Sequence, residues 1–202
     1  MTDYTMSCDA FVRLSHILHN LPEDIDPVFR TIRIDNGQAV ATDRSFMAIE
    51  NIGGATGIIH ILPDAALIKQ CATEAKFDSQ LTITVTEMLQ HAVAKTTLGY
   101  VHPVNVSYWP TGGTDFDRWR EVVMEASVPA AKSSGGMFWQ ADGVAKVAAS
   151  SPSGRVVFEE NIDVIRPTLV RDILEYDWLG VFNPFSRKDH YSPATLPTWM
   201  TR

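Results

Sequence analysis

Histidine is the residue type whose spacing could build a metal site in this chain. Of the six histidines, only His16 and His19 lie close together, three positions apart, with no third ligand near them in the sequence. A zinc site takes three or four protein ligands, so this pair indicates a solvated helix face. Asp24 and Asp26 fit a loop that ends a helix better than a cation site. The sequence therefore predicts no metal ion.

Signatures of catalysis are also missing from the sequence. Cys8 and Cys71 are the only cysteines, too few for a disulfide framework or a zinc set. Cys71 falls on the apolar stripe of a predicted helix, which favours a buried thiol over a nucleophile. The phosphate-binding, nucleophile-elbow and metalloprotease motifs do not occur. We therefore expect a protein that is not an enzyme and needs no cofactor, with an enzyme on an unrelated fold as a weaker alternative.

Composition indicates a globular chain with an ordinary core. The 202 residues include 45% apolar and 20% charged residues, and 17 basic against 24 acidic side chains give a net charge of −7. No stretch approaches the roughly 18 apolar residues of a membrane span, and the first residues lack the basic start of a secretory signal. These features predict a cytoplasmic protein without a membrane partner. The acidic balance argues against extensive coating of nucleic acid but permits a local basic lining.

The first elements are predicted by periodicity and turn chemistry. Alternation before Cys8 indicates a short strand, and the apolar spacing of Asp9–Leu21 predicts a helix that Pro22 ends. Asn36-Gly37 is a strong hairpin signal because both turn positions need positive φ. We expect the returning strand to run from Val40 through Phe46 and Ala48 without a break.

The remaining elements repeat the same order. A strand at 57–62 leads to a helix opened by Pro63 and Asp64. Strands are predicted at 81–86, 92–98 and 101–109, the last an edge or bulged strand because of Pro103. Residues 110–136 form a connector, and a third unit follows with strands at 137–140, 155–158, 163–170 and 178–182 and a helix at 141–150. Three copies of strand, helix and three strands, roughly 4–62, 57–109 and 137–185, predict a two-layer architecture built by repetition.

Several segments, taken in order, resemble the bacterial DNA polymerase III β sliding clamps. IRIDNGQAVATDRSFMAIENI is similar to the family's hairpin, in which ATDG precedes His-Arg-Leu-Ala, and IIHILPDAALIKQC to its strand–Pro–helix passage. DFDRWREVV resembles the family's linker F-P-D-[YW]-R-R-V. VVFEENIDVIRPTLVRDILEYDWLGVFNPFSR resembles the closing strands, which end in VVMPMR in the family.

The resemblance implies an α+β DNA clamp fold in a short version of the family. The parts retained are the middle domain and the second half of the last domain, which gives a clamp-like domain at 1–112, a linker at 113–136, a half domain at 137–187 and a tail at 188–202. In the family, subunits close head to tail into a ring around duplex DNA, with twelve helices on the inner wall. Three helices per chain would favour a tetramer, with a three-chain or open assembly as the alternatives.

The resemblance also implies a processivity factor, from a phage or a mobile element, that tethers a polymerase through a peptide-binding pocket. The alternative is a clamp mimic that captures clamp-binding peptides, or interferes with host replication, without encircling DNA. By the resemblance, the pocket would be lined by Thr42, Arg44, Ser45, Phe46, Met47, Asp117, Glu121, Val122, Val181, Phe182, Pro184 and Phe185. The cations expected to face DNA are Arg13, Lys69, Lys76 and Lys146.

Five departures from the family pattern bear on these expectations. Arg44-Ser45-Phe46 stand where the family has Gly-His-Arg, Asp117 replaces the linker proline, Glu121 replaces its second arginine, and Asn183 is an extra residue before Pro184. Peptide specificity therefore need not match that of the family. Asp64-Ala65 also replace a basic pair, which weakens DNA contact at that place. In the tail, Leu196, Trp199 and Met200 offer a segment that could dock in a pocket, although a frayed terminus is the simpler interpretation.

Overall fold

A computed structural model describes residues 1–54, 56–86, 91–107, 115–127, 141–159 and 167–182. Its strands are β1 (Thr2–Ser7), β2 (Ile32–Asp35), β3 (Gln38–Thr42), β4 (Phe46–Asn51), β5 (Ile58–Leu62), β6 (Gln80–Thr86), β7 (His91–Thr96), β8 (Val101–Ser107), β9 (Val156–Phe158), β10 (Thr168–Asp172) and β11 (Trp178–Phe182). Its α-helices are α1 (Cys8–Ile17), α2 (Ala65–Glu74), α3 (Trp119–Ser127) and α4 (Ala141–Ser150). No helix in the described ranges is long and apolar enough to cross a membrane.

The eleven described strands form one antiparallel sheet in the order β1-β6-β7-β8-β5-β2-β3-β4-β11-β10-β9. The first unit is β1, α1 and β2–β4, and the second is β5, α2 and β6–β8. These two units exchange their first strands, since β1 pairs with β6 and β5 pairs with β2. The third unit, α4 with β9–β11, joins the first through the β4–β11 pair. The predicted α+β class and repeated order are therefore confirmed in the described residues.

Both faces of the central strands are covered. The face that carries Ile32, Ile34 and Phe46 packs into one core with the inner stripes of α1, α2 and α4. The opposite face carries Val40, Met47 and Ile49, which form a second core with α3 and the short 3₁₀ helices Pro27–Arg30 and Asp115–Arg118. This double cover explains why β2 is buried at every position, although Arg33 and Asp35 alternate with its isoleucines.

The helix starts follow the capping residues in the sequence. Ser7 precedes α1, and its hydroxyl accepts from the Ala10 N–H at 3.0 Å. Asp64 precedes α2, and its carboxylate accepts from the Leu67 N–H at 2.9 Å. Helix α1 ends at Ile17, four residues before the expected end, and Asn20 takes a left-handed φ of 58° before Pro22 is reached. Asn36 and Gly37 both have positive φ, which confirms the hairpin.

Three expectations need correction. The strand expected to run from Val40 past Ala48 is two strands, because the chain reverses at Asp43–Ser45 and β3 pairs antiparallel with β4. The connector 110–136 contains α3 and a 3₁₀ turn. Strand β8 lies inside the sheet, between β7 and β5, and not at an edge. Strand β5 pairs only with residues 105–107 of β8, so Pro103 is paired with β7 alone among the described strands. The strand predicted at 137–140, most of 163–167 and the tail lie outside the described residues.

Candidate functional site

The turn between β3 and β4 is the centre of the candidate site. Arg44 has φ +75°, a conformation that glycine adopts at less cost. The Asp43 carboxylate accepts from the backbone N–H groups of Ser45 (3.0 Å) and Phe46 (2.8 Å), and the Thr42 hydroxyl accepts from the Arg44 N–H at 3.1 Å. These hydrogen bonds hold the strained turn in one shape. They also explain how arginine is accommodated where the clamp pattern has glycine.

A shallow pocket of about 30 Å³ lies beside this turn. It is lined by Thr42, Arg44, Ser45, Phe46, Met47, Val122 and Val181, seven of the twelve residues expected from the sequence. Strand β3 and the turn supply Thr42, Arg44 and Ser45. The rest come from three further elements, because Met47 pairs with Val181 across β4 and β11, and α3 brings Val122 over the same face. Met47 and Val181 are buried, so the wall of the pocket is apolar and rigid.

The other expected pocket residues lie elsewhere or outside the described ranges. The Asp117 carboxylate is paired with the Arg33 guanidinium, at 2.5 Å between Oδ1 and Nη1. Glu121 is exposed and pairs with Arg118 on its own helix at 2.8 Å. Phe182 is buried and borders a different cavity. Pro184 and Phe185 lie outside the described residues, so their place in the pocket stays a prediction.

A larger cavity of about 620 Å³ lies on the helix-bearing side of the same turn, and the sequence analysis did not anticipate it. It is lined by His16, His19, Asn20, Leu21, Pro22, Asp43, Ser45, Phe46, Asp142, Gly143, Ala145, Lys146, Ala149 and Phe182. Ser45 and Phe46 belong to both cavities, so the turn is a shared wall. The described residues contain no group of three or more His, Cys, Asp or Glu side chains that could hold a metal ion.

A buried ion-pair network fixes the segment that carries Val122. Asp35 on β2 accepts from the Arg120 guanidinium at 2.5 Å and from the Trp119 indole N–H at 3.2 Å. Arg33 pairs with Asp35 at 3.2 Å and with Asp117, as described above. We call these five residues, Arg33, Asp35, Asp117, Trp119 and Arg120, the linker network. It attaches the start of α3 to the middle of the sheet.

The electrostatics of the linker network favour its charged state. Burial alone raises the pKa of Asp35, but hydrogen bonds from Arg120 and Trp119 and the charges of both arginines lower that pKa overall. His60 lies beside the network, with its ring edge against Phe116 at 5.7 Å between centroids. Burial, and then the charge of Arg33, lower the pKa of His60 to about 4, so this imidazole is neutral near pH 7.

The sequence held only a weak signal for this network. Arg33 and Asp35 alternate with Ile32 and Ile34, which indicates a strand with one polar face. That pattern does not predict that the polar face is covered by the segment around Asp117, 84 residues further along the chain. The pairing depends on tertiary contact between β2 and the linker.

The four cations expected to face DNA divide into two pairs. Lys69 and Lys76 are exposed along α2 and the turn that follows it. Arg13 is largely enclosed and pairs with Glu50 and Asp9, whereas we expected it on an outward face. Lys146 is partly enclosed and donates to the Asp43 carboxylate at 2.5 Å. Carboxylates neutralise the second pair, so the two cations that remain open to solvent among these four lie on α2 and on the turn that follows it.

Comparison with known proteins places the fold among sliding clamps. No protein-family model matches the chain, and no curated protein matches it. The DNA polymerase sliding clamp from Pseudomonas aeruginosa aligns with a TM-score of 0.56 and 12% identity, over 92% of this chain and 66% of that clamp. The DNA polymerase III β subunit from Bartonella birtlesii aligns with a TM-score of 0.57 and 15% identity, over 92% of this chain and 66% of that subunit. The β subunit from Thermotoga maritima aligns with a TM-score of 0.54 and 10% identity, over 100% of this chain and 67% of that subunit.

These likenesses confirm the resemblance at the level of the fold. The identities of 10–15% leave few residues in common, so the shared feature is the architecture of repeated units with helices on one face of an antiparallel sheet. The chain spans about two thirds of the length of the clamps that it matches.

Proposed function

Starting from this sliding-clamp fold, we propose that the chain is a clamp-like processivity factor. It assembles with copies of itself around duplex DNA and tethers a polymerase through the pocket beside the β3–β4 turn. The observation that carries the proposal is the convergence of Met47, Val122 and Val181 from β4, α3 and β11 on that pocket. The proposal assigns no catalytic step to this chain.

The pocket suits one apolar anchor of an extended peptide. Its small volume and rigid wall favour a short aliphatic side chain, because hot spots of binding are well-packed and desolvated. The Arg44 guanidinium lies over the Phe29 ring at 5.6 Å and is one of the lining groups.

Replacing Val122 by glutamate is expected to weaken peptide binding at least tenfold, because a charge would enter the apolar wall. The measurement is fluorescence anisotropy with a labelled peptide that carries leucine and phenylalanine anchors. Met124→Glu is the matched control, since Met124 is 67% exposed on the same helix and does not line the pocket. Equal affinities for the two variants, both folded by circular dichroism, would remove the pocket from the proposal.

DNA contact is assigned to the helix-bearing face of the sheet. Lys69 on α2 and Lys76 on the 3₁₀ turn that follows it are exposed cations, and several copies would present them repeatedly to phosphates. In a four-chain ring, α1, α2 and α4 of each copy would supply twelve helices. Binding by a few weak phosphate contacts fits a protein that holds DNA by enclosing it.

Retention on nicked circular DNA is expected, with loss of retention after the circle is cut. Lys69→Ala combined with Lys76→Ala is expected to shorten retention and to reduce its dependence on salt. Lys95→Ala is the control, because Lys95 is exposed on the face of β7 opposite the buried Ala92 and Ala94. Binding to linear and circular DNA with the same lifetime would contradict enclosure.

The ion pairs of Arg13 and Lys146 favour a second candidate function. They leave fewer free cations on the helix-bearing face than the sequence indicated. A clamp mimic would bind clamp-binding peptides at the same pocket without enclosing DNA. Peptide binding that depends on Val122, together with no retention on circular DNA, would select this candidate.

A further inference from the structure

Arg44 is a strained residue on the rim of the pocket beside the β3–β4 turn. Its φ of +75° lies in the left-handed region, which costs free energy for a long side chain. The other non-glycine residues with positive φ in the described ranges are Asn20, Asn36 and Asp78, types that tolerate this conformation. Strain of this kind concentrates at functional sites, which points to a role for the Arg44 side chain.

Arg44 is held at both its backbone and its guanidinium. Its N–H donates to the Thr42 hydroxyl at 3.1 Å, and its guanidinium lies over the Phe29 ring at 5.6 Å. Phe29 is itself fixed, since it is 6% exposed and stacks on Phe116 at 5.8 Å between ring centroids. The aliphatic stem of Arg44 therefore lies along the rim with little freedom to move aside.

A fixed arginine on the rim limits what the pocket can admit. Its volume of about 30 Å³ is small, about the share of one water molecule in the liquid. Met47 and Val181 cannot withdraw to enlarge it, because both are buried and they pair across β4 and β11. Among the seven lining residues, Arg44 is the one with a long and exposed side chain. Its removal would widen the pocket without opening a hole in the core.

We propose that Arg44 sets the size of the peptide side chain that the pocket accepts. This inference rests on the proposed function and deepens it by naming the class of peptide. With Arg44 in place, the pocket takes one aliphatic anchor and excludes an aromatic ring by steric overlap. Glycine would adopt the same φ without strain and would leave the rim open. The selection is steric, so it depends on the length of the side chain and not on its charge.

Arg44→Gly tests the proposal through peptide selectivity. The leucine anchor of the labelled peptide is replaced by phenylalanine, and both peptides are measured by fluorescence anisotropy. The phenylalanine peptide is expected to bind the wild type about tenfold or more weakly than the leucine peptide, and this ratio is expected to fall below about threefold in Arg44→Gly. Arg44→Met is the matched control, because it keeps a long side chain without the charge, and its ratio is expected to match the wild type.

Thermal unfolding gives a readout that needs no peptide. Arg44→Gly relieves the backbone strain, so its melting temperature is expected to equal or exceed that of the wild type. A clearly lower melting temperature would show that Arg44 serves stability and would overturn the proposal. The same would follow if Arg44→Met lost selectivity as Arg44→Gly does, because charge would then be the determinant.

The outcomes also separate this inference from the proposed function. Equal ratios for the wild type and Arg44→Gly, with affinities that still depend on Val122, would overturn the role of Arg44 and leave the peptide pocket in place. A wild-type chain that binds neither peptide would overturn the proposed pocket, and the role of Arg44 with it.

Discussion

Replacing Asp35 by alanine is expected to lower the free energy of unfolding by about 3–5 kcal/mol, the range for removing one partner of a buried ion pair. Asp35 is 1% exposed and accepts from Arg120 and Trp119 while pairing with Arg33. Without it, the Arg33 charge and the Trp119 indole N–H each lose a partner in the interior. Urea unfolding followed by circular dichroism measures the loss.

Arg120→Ala is the matched control for the linker network. The Arg120 side chain is 47% exposed, and its removal leaves Asp35 with Arg33 and Trp119. We expect a loss of about 1 kcal/mol or less, as for partly exposed ion pairs. Peptide affinity is expected to fall in Asp35→Ala before the sheet unfolds, because α3 carries Val122. Similar losses for the two variants would show that the network does not act through the buried carboxylate.

The pair of Arg13 and Glu50 is expected to show the second large effect. Arg13 on α1 reaches across to Glu50 on β4 at 2.8 Å, and Glu50 is 5% exposed. Arg13→Met leaves a carboxylate in the core, with an expected loss of about 3–5 kcal/mol. Arg13→Met combined with Glu50→Leu removes both charges and is expected to recover most of that stability. Urea unfolding of the four proteins of this double-mutant cycle gives the coupling energy.

The pH dependence of stability provides an independent measurement on the same pair. Burial raises the pKa of Glu50 above its ordinary 4.5, although the hydrogen bond and the charge of Arg13 oppose the shift. The folded protein therefore holds this proton more tightly than the unfolded chain does, and stability falls as pH rises from about 4.5 through the folded pKa. Glu50→Gln is expected to flatten this part of the profile. An unchanged profile would show that Glu50 does not titrate in this range.

Local signals in the sequence predicted the elements whose shape depends on a few adjacent residues. Asn36-Gly37 marked the first hairpin, Ser7 and Asp64 marked the helix starts, and β11 has the predicted bounds. The second turn, at Asp43–Ser45, was missed because Arg44 is not a residue that ordinarily takes positive φ. Its conformation depends on hydrogen bonds from the backbone N–H groups of Arg44 and Phe46 to the Thr42 hydroxyl and the Asp43 carboxylate.

Contacts between distant segments account for most of the remaining differences. Helix α3 was interpreted as part of a connector, because its position depends on contacts with Asp35 and Arg33 on a distant strand. Arg13 was expected to be exposed, because helical spacing places it off the apolar stripe, but α1 packs so closely on β4 that Glu50 reaches it. Seven of the residues expected at the pocket line one shallow cavity, an arrangement that the resemblance supplied and periodicity could not, and their role in peptide binding stays a prediction.

The β3–β4 turn also links the two faces of the sheet. Ser45 and Phe46 line both the pocket beside α3 and the larger cavity beside α4, and the Asp43 carboxylate that accepts from the turn also accepts from Lys146 on α4. A ligand that displaced this turn would therefore change both cavities at once. Occupancy of one face would then be thermodynamically coupled to occupancy of the other, with each ligand altering the affinity of the other by the same factor.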